Sequence, residues 1–413
     1  MNVFDLSAIE LLEYLQKNYI TKSGNSPPVQ HENYKDNTAF GEHINNLFEG
    51  KPDKENIINR MRFESENRRT VSLPTKYQDD LQYRELLDIY NLIMKEKEGV
   101  LDFFGITHLS SEKPTFGTVE LDLISAEICC HNNEFLILVS SGVFHYAYRL
   151  SAILSMIFPF KERIDELQGV FSIDIDEVKN NFNNNPIIIT LFCDLMVVTL
   201  FKENPAKSIA IQTNNAHSSM LAAQLYESFL SFVFSHEMAH FFHNHFSENK
   251  KLVKSLDDLD VNGFAQAMYN WNQEFEADSL GCAFTLATLQ YNNSDPIKHM
   301  IGIISCVKSF EFFEGFQQIR NKEKVFSPTH PPSNMRVKFL LDRFFNEKTF
   351  VYESEFLNII IGIFDFLWER FMVFYTAMEK RFDEKNERVL DQDFDYIQRL
   401  MLGLTKPDET SIV

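Results

Sequence analysis

The chain of 413 residues has few cysteines and few basic residues for its length. Its five cysteines include no Cys-x-x-Cys pair, the spacing that is typical of zinc ribbons and thiol redox sites. Lys and Arg total 39 against 59 Asp and Glu, and the resulting formal net charge of −20 repels nucleic-acid phosphates and anionic lipids. These shortages argue against a cysteine-bound metal, and against nucleic acid or membrane as a general partner.

The sequence also lacks a long apolar segment without charges. Arg149 interrupts the hydrophobic window over residues 136–160, and Asp365 and Glu369 interrupt the window over residues 356–375. Such charges are typical of amphipathic helices inside a soluble protein and not of membrane spans. The N-terminus has no basic region of the kind that begins an export signal, and the odd cysteine count suits a reducing compartment, so we expect a cytoplasmic protein.

Phenylalanine, in contrast, is abundant: 40 residues, within an aromatic content of 14%. This composition indicates a packed aromatic interior and not a disordered chain. Residues 85–104 repeat with helical periodicity, whereas residues 116–128 alternate and residues 135–139 form a short apolar run, so we predict strands in the last two segments. The fold class we expect is α+β and predominantly helical, with a small sheet.

The other segments give coarser predictions. Ser7 and Glu10 have the spacing of a capping box at the start of a first helix. Beyond it we expect a helix to residue 19, a polar loop over 21–43, helices from 44, an irregular Asn-rich connection over 161–185, a buried helix or strand over 187–201, and a charged loop or short helix over 247–260.

The most informative residues are His236, Glu237 and His240, which form a His-Glu-x-x-His motif. The motif lies in an apolar segment, residues 221–245, that contains no Pro or Gly and therefore favours an unbroken helix. Positions i and i+4 share a helix face, so both histidines can bind one zinc ion while the glutamate reaches the reacting water. A zinc site with one open position needs a third protein ligand from elsewhere in the chain.

We predict that Glu274 supplies this third ligand. Glu274, Asp278 and Gly281 fall on one stripe of a second helix, and the small residues of the stripe allow close approach to the histidine helix. Glu276 points away from the stripe, so we prefer Glu274 as the ligand. Asp278 is predicted to accept a hydrogen bond from the outer nitrogen of a ligand histidine. The alternative is that the stripe is a solvated acidic helix face.

Two further histidines follow the motif. A metzincin would have Gly and a third His at the positions that His243 and Phe246 occupy here, so we do not expect a third histidine ligand. His243 falls on the ligand face by helical count and either contacts the substrate, supports the site, or is an ordinary surface or core histidine. We place His245 among the residues that support the ligands.

Three motifs occur in the order found in the gluzincin peptidases. They are His-Glu-Met-Ala-His-x-x-x-x-His at residues 236–245, Glu-Phe-Glu-Ala-Asp at 274–278, and Thr-His-Pro-Pro-Ser-Asn-Met-Arg at 329–336. Within that clan, Asn-Glu-Phe-Leu-Ile-Leu-Val-Ser at 133–140 is similar to the Lit-type phage-exclusion peptidases. The resemblance covers the central part of the chain and leaves both ends unexplained.

The resemblance implies a zincin-like core, made of a small sheet and two ligand-bearing helices. The same resemblance implies one zinc ion per chain, with His236, His240 and Glu274 as ligands and Glu237 as general base, in agreement with the spacing. It also implies that His330 and Arg336 lie near the active site, where either could stabilise the oxyanion or brace the ligand helix. The alternative for the last motif is a proline-rich turn that merely ends a helix.

We therefore expect three parts: an N-terminal helical regulatory region over residues 1–114, a zinc metallopeptidase core over 115–345, and a C-terminal helical extension over 346–413. The predicted activity is that of a zinc endopeptidase that cuts an intracellular protein. The Lit-type resemblance implies a role in anti-phage defence, together with a regulatory or trigger protein as a partner. The alternatives are a zinc-stabilised binding module without turnover, and an aminopeptidase that holds a free amino terminus with an acidic group.

Overall fold

The computed structural model describes residues 6–23, 73–107, 113–161, 170–172, 174–202, 204–209, 211, 216–245, 261–289, 295–321, 330–345 and 351–385. These residues form an α+β fold that is predominantly helical, as expected. The helices are α1 (Ala8–Ser23), α2 (Asp80–Phe103), α3 (Ser141–Ser155), α4 (Ile175–Asn184), α5 (Ile187–Lys202), α6 (Ala216–Phe242), α7 (Val261–Leu289), α8 (Pro296–Asn321), α9 (Ser333–Phe344) and α10 (Val351–Lys385). The strands are β1 (Thr115–Val119), β2 (Ala126–His131), β3 (Glu134–Ser140), β4 (Phe160–Lys161) and β5 (Val170–Phe171).

The main sheet has three strands in the order β1-β3-β2. Strand β3 is central: it pairs in parallel with β1 and antiparallel with β2. Asn132 and Asn133 both have positive φ, 52° and 65°, which is the backbone conformation that a two-residue hairpin turn between β2 and β3 requires. The strand predicted over residues 135–139 is confirmed, and β2 lies at the edge of the described sheet.

The strand predicted over residues 116–128 is in fact two strands with bends between them. The side chain of Ser141 bonds to the backbone of Leu121, and the side chain of Ser140 bonds to the backbone of Leu123 and Ser125. These hydrogen bonds turn the chain away from the sheet, and Leu123 is 43% exposed. Alternation of apolar residues could not reveal this turn, because the partners that make it come from a later part of the sequence.

The irregular connection predicted over residues 161–185 is wrong in part, because Ile175–Asn184 is a helix. Asp174 caps it by accepting hydrogen bonds from the backbone of Asp176 and Glu177. Val178 and Phe182, four residues apart, are its buried face. The next segment, residues 187–201, is helical, whereas the predictions for residues 24–72 and 247–260 lie outside the described residues.

Two hydrophobic clusters cover the two faces of the sheet. Helix α1 packs Leu12 against Leu136 and Leu138 of β3 on one face. The predicted capping box begins this helix, since the backbone N–H of Ser7 donates to Oε2 of Glu10 at 2.9 Å. The other face belongs to a larger cluster that joins helices α2 to α10, and its fully buried side chains include the aromatic residues Tyr146, Phe192, Phe232, Phe234, Phe284, Phe312, Phe356, Phe364 and Phe371.

Within the described part of the chain, no helix meets by itself the length and hydropathy expected of a membrane span. One pair of helices, Ile175–Asn184 with Ile187–Phe201, meets them jointly, and the two are bent by 73° at their junction.

Candidate metal centre

Helix α6 carries the His-Glu-x-x-His motif through the middle of the large core. His236, Glu237 and His240 are only 8–9% exposed, and the neighbouring Met238 and Ala239 are completely buried. Because the helix continues without a break through the motif, the two histidines lie one turn apart on the same face. Their Nε2 atoms are 3.2 Å apart.

Helix α7 brings Glu274 to this histidine pair. A Cβ atom added to Gly281 would lie 3.0 Å from Cα of His236, so the two backbones approach more closely than most residues with a side chain allow. One turn earlier, Ala277 is fully buried in the same interface. The small residues of the predicted stripe therefore have the packing role that the sequence indicated.

The three side chains predicted as ligands converge on one point. The carboxylate of Glu274 places Oε2 3.4 Å from Nε2 of His236 and Oε1 3.5 Å from Nε2 of His240. In a tetrahedral zinc site with bonds of about 2.0–2.1 Å, neighbouring ligand atoms lie about 3.3–3.4 Å apart. The observed separations of 3.2, 3.4 and 3.5 Å fit such a site, and two imidazoles with one carboxylate are a donor set that zinc accepts.

Electrostatics distinguish the two histidines. Burial lowers the pKa of His236, but hydrogen bonds to Asp278 and Glu274 outweigh burial and raise it above the ordinary value. Burial lowers the pKa of His240, and the nearby His236 adds to this effect. Burial raises the pKa of Glu274, but the hydrogen bond to His236 and the surrounding histidines hold it below its usual range. The carboxylate is therefore charged, as a metal ligand must be.

Asp278 lies behind His236, in the position predicted for it. It is completely buried, and its Oδ1 is 3.0 Å from Nδ1 of His236. Nε of Arg336 donates to Oδ2 of Asp278 at 2.7 Å, and Nη2 donates to Oδ1 at 2.6 Å. Although burial raises the pKa of Asp278, this paired guanidinium holds it below its usual range. The resulting anion fixes the orientation of the His236 ring, leaving Nε2 to face Glu274.

Arg336 comes from the first turn of α9, which begins just after Pro331 and Pro332. The proline-rich segment thus starts a helix and places a guanidinium beside the site, 4.0 Å from Oε2 of Glu274. His330 precedes this helix with a side chain that is 50% exposed, and its Nε2 lies 3.7 Å from Oε1 of Glu274. The structure therefore brings both residues to the site, Arg336 from its buried side and His330 from its open side. Thr329 lies outside the described residues.

His245 contacts the other histidine. Helix α6 ends at Phe242, and Asn244 takes a positive φ of 53°, a conformation that asparagine tolerates better than most residues. This turn folds His245 back, so that its backbone N–H donates to the carbonyl of His240. The Nδ1 atoms of His245 and His240 are 2.8 Å apart. His245 therefore lies directly beside His240, and its supporting role stays a prediction.

Two residues near the site were not anticipated. Glu276 was expected to point away from the ligands, and it does, but its Oε2 lies 3.1 Å from Nε2 of His245. Glu127 of β2 acts on the site through its charge. The turn at Asn244 brings His245 to Glu276, and the position of strand β2 beside α6 brings Glu127 near the site. Helical spacing alone predicts neither arrangement.

Glu237 lies next to the ligands on the same helix. Burial, together with the negative charges of Glu274 and Glu127, raises the pKa of its carboxyl to about 7. A carboxyl group with such a pKa can accept a proton and return it near neutral pH, which is what a general base and acid must do.

The comparisons with known proteins bear on this region. A family model described as Peptidase U49 matches residues 202–353, which include all of the candidate ligands as well as His330 and Arg336. None of the curated proteins and none of the solved structures matches the chain. The family match supports a peptidase function, and a peptidase acts on a protein or peptide substrate.

Proposed function

We propose that the protein is a zinc-dependent endopeptidase with His236, His240 and Glu274 as metal ligands. The observation that carries this proposal is the convergence of three buried ligand atoms, 3.2–3.5 Å apart, beside a buried carboxyl group on the same helix. The family match over residues 202–353 supports the hydrolysis of peptide bonds. A zinc ion bound there supplies Lewis acidity, which polarises the scissile carbonyl and makes water more acidic.

Glu237 is the general base in this proposal. Its carboxylate accepts a proton from the attacking water and then donates that proton to the leaving amine. Glu237 is buried beside His236 on the same helix, and burial raises the pKa of its carboxyl, which supports the assignment.

The structure favours different roles for the two residues of the last motif. Nε and Nη2 of Arg336 both donate hydrogen bonds to Asp278. We therefore assign Arg336 to bracing the Asp278–His236 pair. His330 is half exposed and lies 3.7 Å from Glu274, on the side that a substrate can reach. We therefore assign stabilisation of the developing oxyanion to His330.

Strand β2 is the proposed site for the substrate backbone. It is an edge strand of the described sheet and lies beside α6, so an extended peptide can add to it as a further strand. Strand β3 is central in this sheet and cannot take this role. Glu127 of β2 acts electrostatically on Glu237, so it lies near the reacting groups.

Glu127 also keeps the aminopeptidase alternative open, because that activity needs an acidic group that holds a free amino terminus. Comparing the cleavage of intact proteins with the cleavage of short free peptides separates the endopeptidase activity from the aminopeptidase activity. A zinc-stabilised module without turnover is less well supported, since a purely structural site has no need of a buried carboxyl group with a pKa near 7.

The biological part of the proposal rests on the Lit-type resemblance. We propose that the protein is cytoplasmic and cuts a host protein when infection is sensed. Such an activity must be restrained, and residues 1–114 and 346–413, outside the proposed core over 115–345, are the candidates for restraint or for binding a trigger protein.

The test compares the wild type with Glu237→Gln in cytosolic extract, by mapping newly formed protein termini with mass spectrometry. New termini should appear with the wild type and fall by at least about 100-fold with the variant. Metal analysis should find about one zinc per chain in both proteins. Glu227→Gln, on the same helix but away from the motif, serves as the matched control. Undiminished cleavage by Glu237→Gln would refute the assignment of the base.

A further inference from the structure

We propose that His243, His245 and Glu276 form a second site for a divalent transition-metal cation, adjacent to the candidate metal centre. Each of these residues offers a ligand atom, and the three atoms lie within 4.8 Å of one another. The group forms where the end of α6 meets α7. Binding at this site does not depend on the proposed peptidase function, whereas its effect on His240 does.

The three side chains lie close enough to share an ion. Nε2 of His245 and Oε2 of Glu276 are 3.1 Å apart. The rings of His243 and His245 are stacked, with an interplanar angle of 8° and centroids 5.1 Å apart, so one ring must rotate about its Cβ–Cγ bond for both nitrogen lone pairs to point at one ion. Nε2 of His243 is buried and has no hydrogen-bond partner among the described residues. A buried polar atom without a partner is costly, and a cation would supply the partner.

The ligand types indicate the class of cation. Two imidazoles and one carboxylate favour zinc and similar first-row ions over calcium or magnesium, which prefer oxygen ligands alone. The side chain of Glu276 is 57% exposed, so an ion can enter from solvent. The ligands of the candidate zinc centre are 8–9% exposed, so the more open second site should bind zinc more weakly.

The second site is coupled to the first through His245. When His240 binds metal through Nε2, its Nδ1 carries the proton and can donate to Nδ1 of His245 across 2.8 Å. His245 then carries its own proton on Nε2, facing Glu276. A cation on Nε2 of His245 displaces that proton to Nδ1, where it faces the N–H of His240. The hydrogen bond is then lost, so occupancy of the second site removes a support of His240.

The test uses the full chain, dialysed against rising concentrations of zinc alone, with zinc per chain measured by mass spectrometry. The wild type should bind a first equivalent tightly and a second at least about tenfold more weakly. His243→Ala and Glu276→Gln should each keep the first equivalent and bind the second at least about tenfold more weakly than the wild type does. His131→Ala is the matched control and should keep both.

The proposal would be overturned if His243→Ala and Glu276→Gln bound the second equivalent with wild-type affinity, or if the wild type bound only one equivalent and Glu274→Ala lost it. Glu274→Ala separates this failure from that of the proposed function. If only the second site is wrong, this variant loses the single tight equivalent that the wild type binds. If the proposed zinc centre is wrong and the second site is right, the wild type binds a single equivalent that Glu274→Ala keeps and that His243→Ala and Glu276→Gln weaken. In the wild type, peptidase activity should fall as the second equivalent binds.

Discussion

At the scale of residues, the site depends on how its buried charges are balanced. Asp278 is fully buried: both of its carboxylate oxygens accept hydrogen bonds from Arg336, and Oδ1 also lies 3.0 Å from Nδ1 of His236. Helical spacing could predict that the side chains of His236, His240, Glu274 and Asp278 converge, because positions three and four apart share a face wherever a helix forms. It could not predict the contact of Glu276 with His245, because that contact depends on the left-handed turn at Asn244.

Replacing Asp278 by Asn should weaken zinc binding by about 10–100-fold, because the neutral amide orients His236 poorly. It should also lower the free energy of unfolding by about 3–5 kcal/mol, because the guanidinium of Arg336 stays buried without its counterion. Zinc competition with a chelator and denaturant unfolding measure the two effects. Asp342→Asn, at an exposed position on the same helix as Arg336, is the control. If Asp278→Asn bound zinc as tightly as the wild type does, that result would contradict the role assigned to Asp278.

At the scale of elements, the candidate metal centre depends on the contact between α6 and α7. Long apolar helices and the central strand could be predicted from periodicity, since these elements are buried along most of their length. Periodicity predicted one strand where β1 and β2 are separate, because the side chain of Ser140 in a later segment helps to decide where they end. Periodicity also did not predict helix α4, because the cap at Asp174 decides where that helix begins. The close approach at Gly281 followed from the small residues of the stripe.

Gly281→Ala should therefore disturb the site, although it adds only one methyl group. The added Cβ would meet Cα and N of His236 at 3.0 Å, backbone atoms that cannot move aside cheaply. We expect a loss of stability of about 1–3 kcal/mol and weaker zinc binding, since the helices must separate. Gly362→Ala is the matched control: nothing lies within 4 Å of its added Cβ, so better helix propensity should leave stability unchanged or raised by up to about 1 kcal/mol. Equal melting temperatures and zinc affinities for both variants would count against this account.

At the scale of the whole molecule, the flanking helices pack on the part that carries the site. Helix α1 covers one face of the sheet, and Lys308 of the buried helix α8 donates to Asp365 of α10 at 2.6 Å. The division into residues 1–114, 115–345 and 346–413 stays a prediction. Composition gave the aromatic core and the class of fold, but contacts between distant parts of the chain are not encoded in local periodicity.

Leu12→Ala tests whether α1 contributes to the stability of the whole. Leu12 is completely buried against Leu136 and Leu138, so the variant should lose about 2–5 kcal/mol of unfolding free energy. Leu81→Ala, at a position 44% exposed, should lose much less. Thermal unfolding followed by circular dichroism gives both values. If residues 115–345 fold independently of α1, the two variants should be alike.

The most direct test of the central claim is to locate zinc by anomalous diffraction at its absorption edge in crystals of the full chain. The account predicts one strong peak about 2.0–2.2 Å from Nε2 of His236, Nε2 of His240 and a carboxylate oxygen of Glu274, with no fourth protein ligand. No peak there in zinc-containing crystals, or a fourth protein side chain closing the site, would contradict it.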